Sequence, residues 1–202
     1  MFTLESIISI SKNDLDEASK MLNEDDIFKL IESLSLKDDN IRYQAFLLLQ
    51  NRSMLFNDVY PYWGVFKDKL KSDNSYQRSI GLMLIAENVK WDTDNNIENV
   101  IDEFLNLLND EKPITIRQCI QSLGKIASYN PGLNDKIACK LISIDLMSIK
   151  ETMRKSILFD ILNVLVIIRE NYKTPEIENF ILRALTGEIL DKKSKKQIEA
   201  LL

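Results

Sequence analysis

The chain has 202 residues, 45% of them apolar and 28% charged, with only 5 Gly and 4 Pro. That suffices for one packed domain and leaves too few turn-formers for a sandwich or barrel of many short strands. The formal charge of −5 argues against a duplex-binding surface, and the absence of His excludes His triads, His metal sites and His proton switches.

Along the chain, residues 1–25 are expected to form an irregular N-terminal cap. Met1-Phe2-Thr3-Leu4-Glu5 lacks the basic start of a signal peptide, so the chain reads as cytoplasmic. Five helix–turn–helix units then follow, over residues 26–59, 60–96, 97–133, 134–174 and 175–202, all in a single domain. Their first helices are expected at Asp26–Leu34, Tyr60–Leu70, Ile97–Leu108, Asn134–Leu146 and Pro175–Leu185. Their second helices are expected at Asn40–Arg52, Ser75–Val89, Ile114–Ser128, Glu151–Arg169 and Lys193–Leu202. Apolar residues recur at three and four within each, the period of an amphipathic helix. Asp39 or Asn40, Asp73 or Ser75, and Asp110 stand where the second helices need N-caps. The most apolar run, Ile161 to Ile168, is too short to cross a bilayer.

The units are self-similar in detail. Arg42, Arg78, Arg117 and Arg154 recur at intervals of 36, 39 and 37, and Lys195 follows 41 residues on. Three positions after each come Ala45, Gly81, Ile120, Ile157 and Ile198. Six after come Leu48, Leu84, Leu123 and Leu201, with Asp160 breaking the series. Leu34, Leu70 and Leu146 precede their arginines by eight, and Leu108 precedes Arg117 by nine. A helix pair of this length cannot bury its apolar face alone, so neighbours must stack on a continuous core.

The turn Asp, the apolar-Arg pair, the small or apolar residue three on and the Leu six on resemble HEAT or armadillo-like repeats. The resemblance covers residues 26–170 in four copies. It implies an all-α, right-handed α-α superhelix of about five helix pairs. It also implies a structural ladder in which Arg42, Arg78, Arg117 and Arg154 bond turn Asp residues or carbonyls of the neighbouring unit.

The second helices are expected to line a concave face. Tyr43, Ser79, Gln118 and Lys155 fall one residue past each Arg, and Gln50 and Lys125 fall eight past. This largely polar strip suits a protein or peptide partner, and the chain reads as a non-catalytic scaffold or adaptor. A regulatory accessory domain for a neighbouring bacterial enzyme is a further reading. No phosphate loop, metal-ligand spacing or nucleophile with its base is present, so no cofactor, metal or small-molecule ligand is expected. No membrane association is expected either. Residues 1–110 carry 20 acidic and 11 basic side chains, net −9, and residues 111–202 are net +4. That split does not suit nucleic acid. Tyr60, Tyr62, Trp63 and Phe66 read as filler between units, Lys192, Lys193, Lys195 and Lys196 as a solvated cap, and Cys119 and Cys139 as buried free thiols.

One element points to chemistry. Trp91-Asp92-Thr93-Asp94-Asn95 resembles the Trp-Asp-x-x-Asp element of HEAT-like alkylpurine DNA glycosylases. That resemblance implies a site of Trp91, Asp94 and Arg117, with Asp94 as the nearest carboxylate because Asn95 occupies the family's acidic position.

Overall fold

The computed structural model describes residues 9–202, so residues 1–8 of the expected cap lie outside it. Among the described residues there are eleven α-helices and no strand. The chain divides into two compact units, Met1–Ile97 and Glu98–Leu202. The division falls at the joint expected between the second and third repeats.

The first unit contains α1 (Leu15–Lys20), α2 (Glu24–Ser33), α3 (Asp39–Leu55), α4 (Trp63–Lys69) and α5 (Ser75–Asn88). Side chains that satisfy the first free N–H groups start α2, α3 and α5. Asn23 and Asp26 form a reciprocal capping box at α2. Asp38 accepts from the N–H groups of Asn40 and Ile41, and Asn74 from that of Tyr76. The caps are therefore Asp38 and Asn74, one residue from the expected Asp39/Asn40 and Asp73/Ser75. At the third turn Asp110 accepts the Lys112 N–H instead of capping, and Pro113 opens the helix. Proline suits that first position because its missing N–H has no helical partner there.

Leu30, Leu34, Ala45, Leu48, Leu49, Phe66, Leu84 and Ile85 fill the core of this unit with no exposed surface. Burial of each large side chain contributes roughly 1.5–3 kcal/mol. Gly81 marks the closest approach of two helices. A Cβ there would lie 2.7 Å from the Phe66 carbonyl oxygen and 3.2 Å from Leu70 Cδ2. The small residue three past the arginine thus lets α5 press against α4.

The second unit contains α6 (Ile101–Asn106), α7 (Pro113–Tyr129), α8 (Asn134–Ile142), α9 (Glu151–Arg169), α10 (Pro175–Thr186) and α11 (Lys192–Glu199). The long helices α7 and α9 pack side by side and carry most of its core, including Ile120, Leu123, Ile126, Ile157, Ile161, Leu162 and Leu165. Most expected boundaries move by a few residues: Tyr60–Leu70 shortens to Trp63–Lys69, Ile97–Leu108 shortens to Ile101–Asn106, and Asn40–Arg52 extends to Asp39–Leu55. The helix expected to reach Leu146 ends at Ile142, because Asp145 turns the chain by accepting the Met147 N–H through its side chain and the Ser148 hydroxyl through its carbonyl. The last helix ends at Glu199, and Leu201 is 56% exposed, not a core position. No helix among the described residues is long and apolar enough to cross a membrane.

Candidate functional site

The repeating arginines tie turns together. Arg42 donates to the Leu36 carbonyl at 3.1 Å and pairs with Asp39. Arg78 donates to the carbonyls of Ser72 at 2.8 Å and Asp73 at 3.0 Å. Arg154 donates to the carbonyls of Ile149 at 2.9 Å and Met147 at 3.0 Å. These carbonyls belong to the turn that precedes each arginine's own helix, not to a neighbouring repeat. Five donors in a planar fork let one side chain hold the unpaired carbonyls of such a turn.

Arg117 does something different. Its Nε donates to Asp160 Oδ2 at 2.6 Å and its Nη2 to Oδ1 at 3.2 Å, from α7 across to α9. The carboxylate raises the guanidinium pKa above its ordinary value. Gln121 Nε2 adds a bond to Asp160 Oδ1 at 3.1 Å. The residue that breaks the leucine series is the acceptor of this network, and it is buried.

Below that network, α7 and α9 form a groove of about 370 Å³. Gln121, Lys125, Asp160 and Asn163 are its polar lining, and Gly124, Val164 and Ile167 its apolar floor. Three second helices also carry an asparagine bonded back to its own helix. Asn51, Asn88 and Asn163 each donate Nδ2 to the carbonyl four residues back at 2.8 Å. Asn51 and Asn163 are only half-buried, whereas Asn88 is enclosed.

The expected strip is distributed unevenly. Tyr43 is 53% exposed on α3, and Lys125 and Lys155 are exposed on α7 and α9. Gln118 is half-buried, and Gln50 is half-buried with its Nε2 on Glu87 Oε1 at 3.1 Å. Lys155 is paired with Asp191. Ser79 is buried, at 8% exposure, because α5 packs against both α3 and α4. Ser79 therefore offers a partner almost no surface. Arg52, Lys69 and these three asparagines escaped the sequence reading. Arg52 is buried, with both nitrogen arms on Asp58, two bonds to the Ser19 and Lys20 carbonyls, and its guanidinium 3.7 Å above the Phe56 ring. Its only sequence signal was a lone Arg near the end of a helix.

The Trp91–Asn95 element is a joint. Trp91 Nε1 donates to the Ser53 carbonyl at 2.9 Å. Asp92 is buried and accepts the N–H groups of Asn96 and Ile97 and the Tyr60 hydroxyl. Asn96 Nδ2 closes the circuit on Tyr60 at 2.7 Å. Asn95 adopts φ 56°, the left-handed region that Asn tolerates in turns. Asp94 is exposed on the loop. The aromatic cluster points inward, with Phe66 and Trp63 buried and Tyr60 tilted against Trp63 at 5.7 Å. Cys119 is buried with its thiol pKa pushed well up by burial, whereas Cys139 is exposed, contrary to expectation, because it lies on the open face of α8 beside Asp135. Lys195 bonds the Gly187 carbonyl at 2.7 Å, and Lys192, Lys193 and Lys196 line the surface of α11. Among the described residues no group of three or more His, Cys, Asp or Glu is placed to hold a metal.

No family model matches the chain, and no curated protein matches it. Solved structures do. A designed armadillo repeat protein in complex with the peptide (KR)4 superposes with TM-score 0.62 at 15% identity, covering 98% of this chain and 88% of that one. An engineered protein gives TM-score 0.61 at 17% identity, covering 100% and 96%. Kap95p, from a study of its binding to RanGDP, gives TM-score 0.62 at 16% identity over 98% of this chain and 27% of its own. The fold is therefore that of HEAT/armadillo-type helical repeats.

Proposed function

We propose that the protein is a non-catalytic helical-repeat scaffold that binds a protein or peptide partner along the faces of its second helices. The α7–α9 groove carries this reading. It joins an apolar floor of Gly124, Val164 and Ile167 to polar groups at its edges, the composition that orients a bound chain while burying its side chains. Arg117 and Gln121 hold Asp160 in place, so the groove wall is organised before a partner arrives, which lowers the ordering cost of binding. The designed armadillo protein complexed with a peptide shows that this fold can hold one. The carboxylate, indole and backbone bonds of the Trp91–Asn96 joint support a structural reading of that loop.

The test is selection from a random-peptide library on the purified protein, followed by affinity measurements. Selected peptides should lose about tenfold affinity, ~1.4 kcal/mol, on Lys125→Glu or Asn163→Ala. Peptides indifferent to both substitutions would refute the groove as the binding site.

A further inference from the structure

The turn side of the first unit holds a separate cleft of about 690 Å³, walled by the α2–α3 turn, the first turn of α3, α4 and the start of α5. Its central cation is Lys69, which is only 8% exposed. The ammonium donates to Ser35 Oγ at 3.3 Å and to Gln77 Oε1, both neutral acceptors. Among the described residues no carboxylate pairs with it. Burial first, and the nearby Arg42 charge second, hold its pKa below the ordinary lysine value. Gln77 in turn donates to the Leu34 carbonyl at 2.7 Å, so the lysine is fixed in place.

A buried ammonium costs free energy unless a counter-charge compensates it. A neutral side chain could fill this position without that cost. Two further cations, Lys37 and Arg42, line the same cleft, against Asp39 and Asp68. Asp39 is already engaged by Arg42, so the lining carries three cations against two carboxylates and only Asp68 remains to balance Lys69 and Lys37. The rim is apolar. Leu36, Val65 and Tyr76 line the cleft while 39%, 38% and 66% exposed.

We propose that this cleft is a second docking site, for an acidic peptide segment of a partner protein. A glutamate or aspartate carboxylate of that segment bonds Lys69, with Lys37 on the same lining. A neighbouring apolar side chain of the segment covers Leu36, Val65 and Tyr76. The site stands independently of the α7–α9 groove.

The experiment titrates the full chain into a fluorescein-labelled peptide of alternating glutamate and leucine, and into the same peptide with glutamine for glutamate. The glutamate peptide should bind saturably, and the glutamine peptide about tenfold more weakly or not at all. Lys69→Met keeps most of the length of the side chain and removes its charge, and should weaken the glutamate peptide about tenfold. Helical circular dichroism confirms that this variant folds. Should it not, Tyr76→Ala, at an exposed position, provides the same test with a several-fold loss. Absence of saturable binding, equal binding of the two peptides, or binding unmoved by both substitutions would overturn the proposal.

Discussion

Asp160 offers the sharpest perturbation of the structure. It occupies on α9 the position at which α3, α5 and α7 carry the fully buried Leu48, Leu84 and Leu123, and it is 6% exposed. Asp160→Ala removes the acceptor of three N–H bonds, two from Arg117 and one from Gln121. A fully buried orphaned charge would cost ~3–5 kcal/mol, and an exposed pair contributes ~0–1. The Arg117 side chain keeps 30% exposure, so water can solvate part of the guanidinium. The expected loss lies between these limits, at ~2 kcal/mol. Asp160→Leu restores the pattern of the other repeats, and its burial offsets most of that loss, leaving it within ~1 kcal/mol of the parent. Replacing both partners, Arg117→Met with Asp160→Leu, should equal or exceed the parent, since it leaves no unpaired charge and the exposed Gln121 turns to water. Urea unfolding followed by circular dichroism supplies the free energies. A double-mutant cycle of Arg117→Ala and Asp160→Ala should give a coupling of ~1–2 kcal/mol. A coupling near zero, or a loss below ~0.5 kcal/mol for Asp160→Ala, would refute the network.

Other positions test the packing and the joint. Leu84→Ala should cost ~2–5 kcal/mol in urea unfolding, because a side chain with no exposed surface leaves a cavity. Gly81→Ala should cost ~1–3 kcal/mol in the same assay, since the added carbon would meet the Phe66 carbonyl at 2.7 Å. Burial, then the bond to Asp92, raise the Tyr60 pKa above its ordinary value of 10.0. Its contribution is therefore full below that pH and is lost as pH climbs through the raised folded value. Tyr60→Phe should be less stable near neutrality by ~1 kcal/mol and should lose less between about pH 9 and 11 than the parent does.

Much of this architecture was readable because helices announce themselves locally. Apolar period, turn residues and the recurring arginine located the helix pairs to within a few residues, as at Glu151–Arg169, where expectation and structure coincide. The failures share a cause. Asp145 stops α8 early through its own side chain and carbonyl, a competition that periodicity does not register. Ser79 sits one residue past its arginine, as Tyr43 does, but Ser79 is 8% exposed and Tyr43 53%. Periodicity gives a stripe and does not say how many neighbours cover it. Asp160 looked like a defect in a leucine row because its partner lies 43 residues away on another helix. Lys69 escaped the sequence reading for the same reason, since its hydrogen-bond partners Ser35 and Gln77 come from flanking elements.

The central claim is that the faces of the second helices bind a polypeptide, and amide chemical-shift mapping tests it most directly. The purified chain is assigned and titrated with a library-selected peptide. The account predicts shifts concentrated on α7 and α9, at Gln121, Gly124, Lys125 and Asn163, with the first helices α8 and α10 silent. Shifts confined to α8 and α10, or none at saturating peptide, would contradict it.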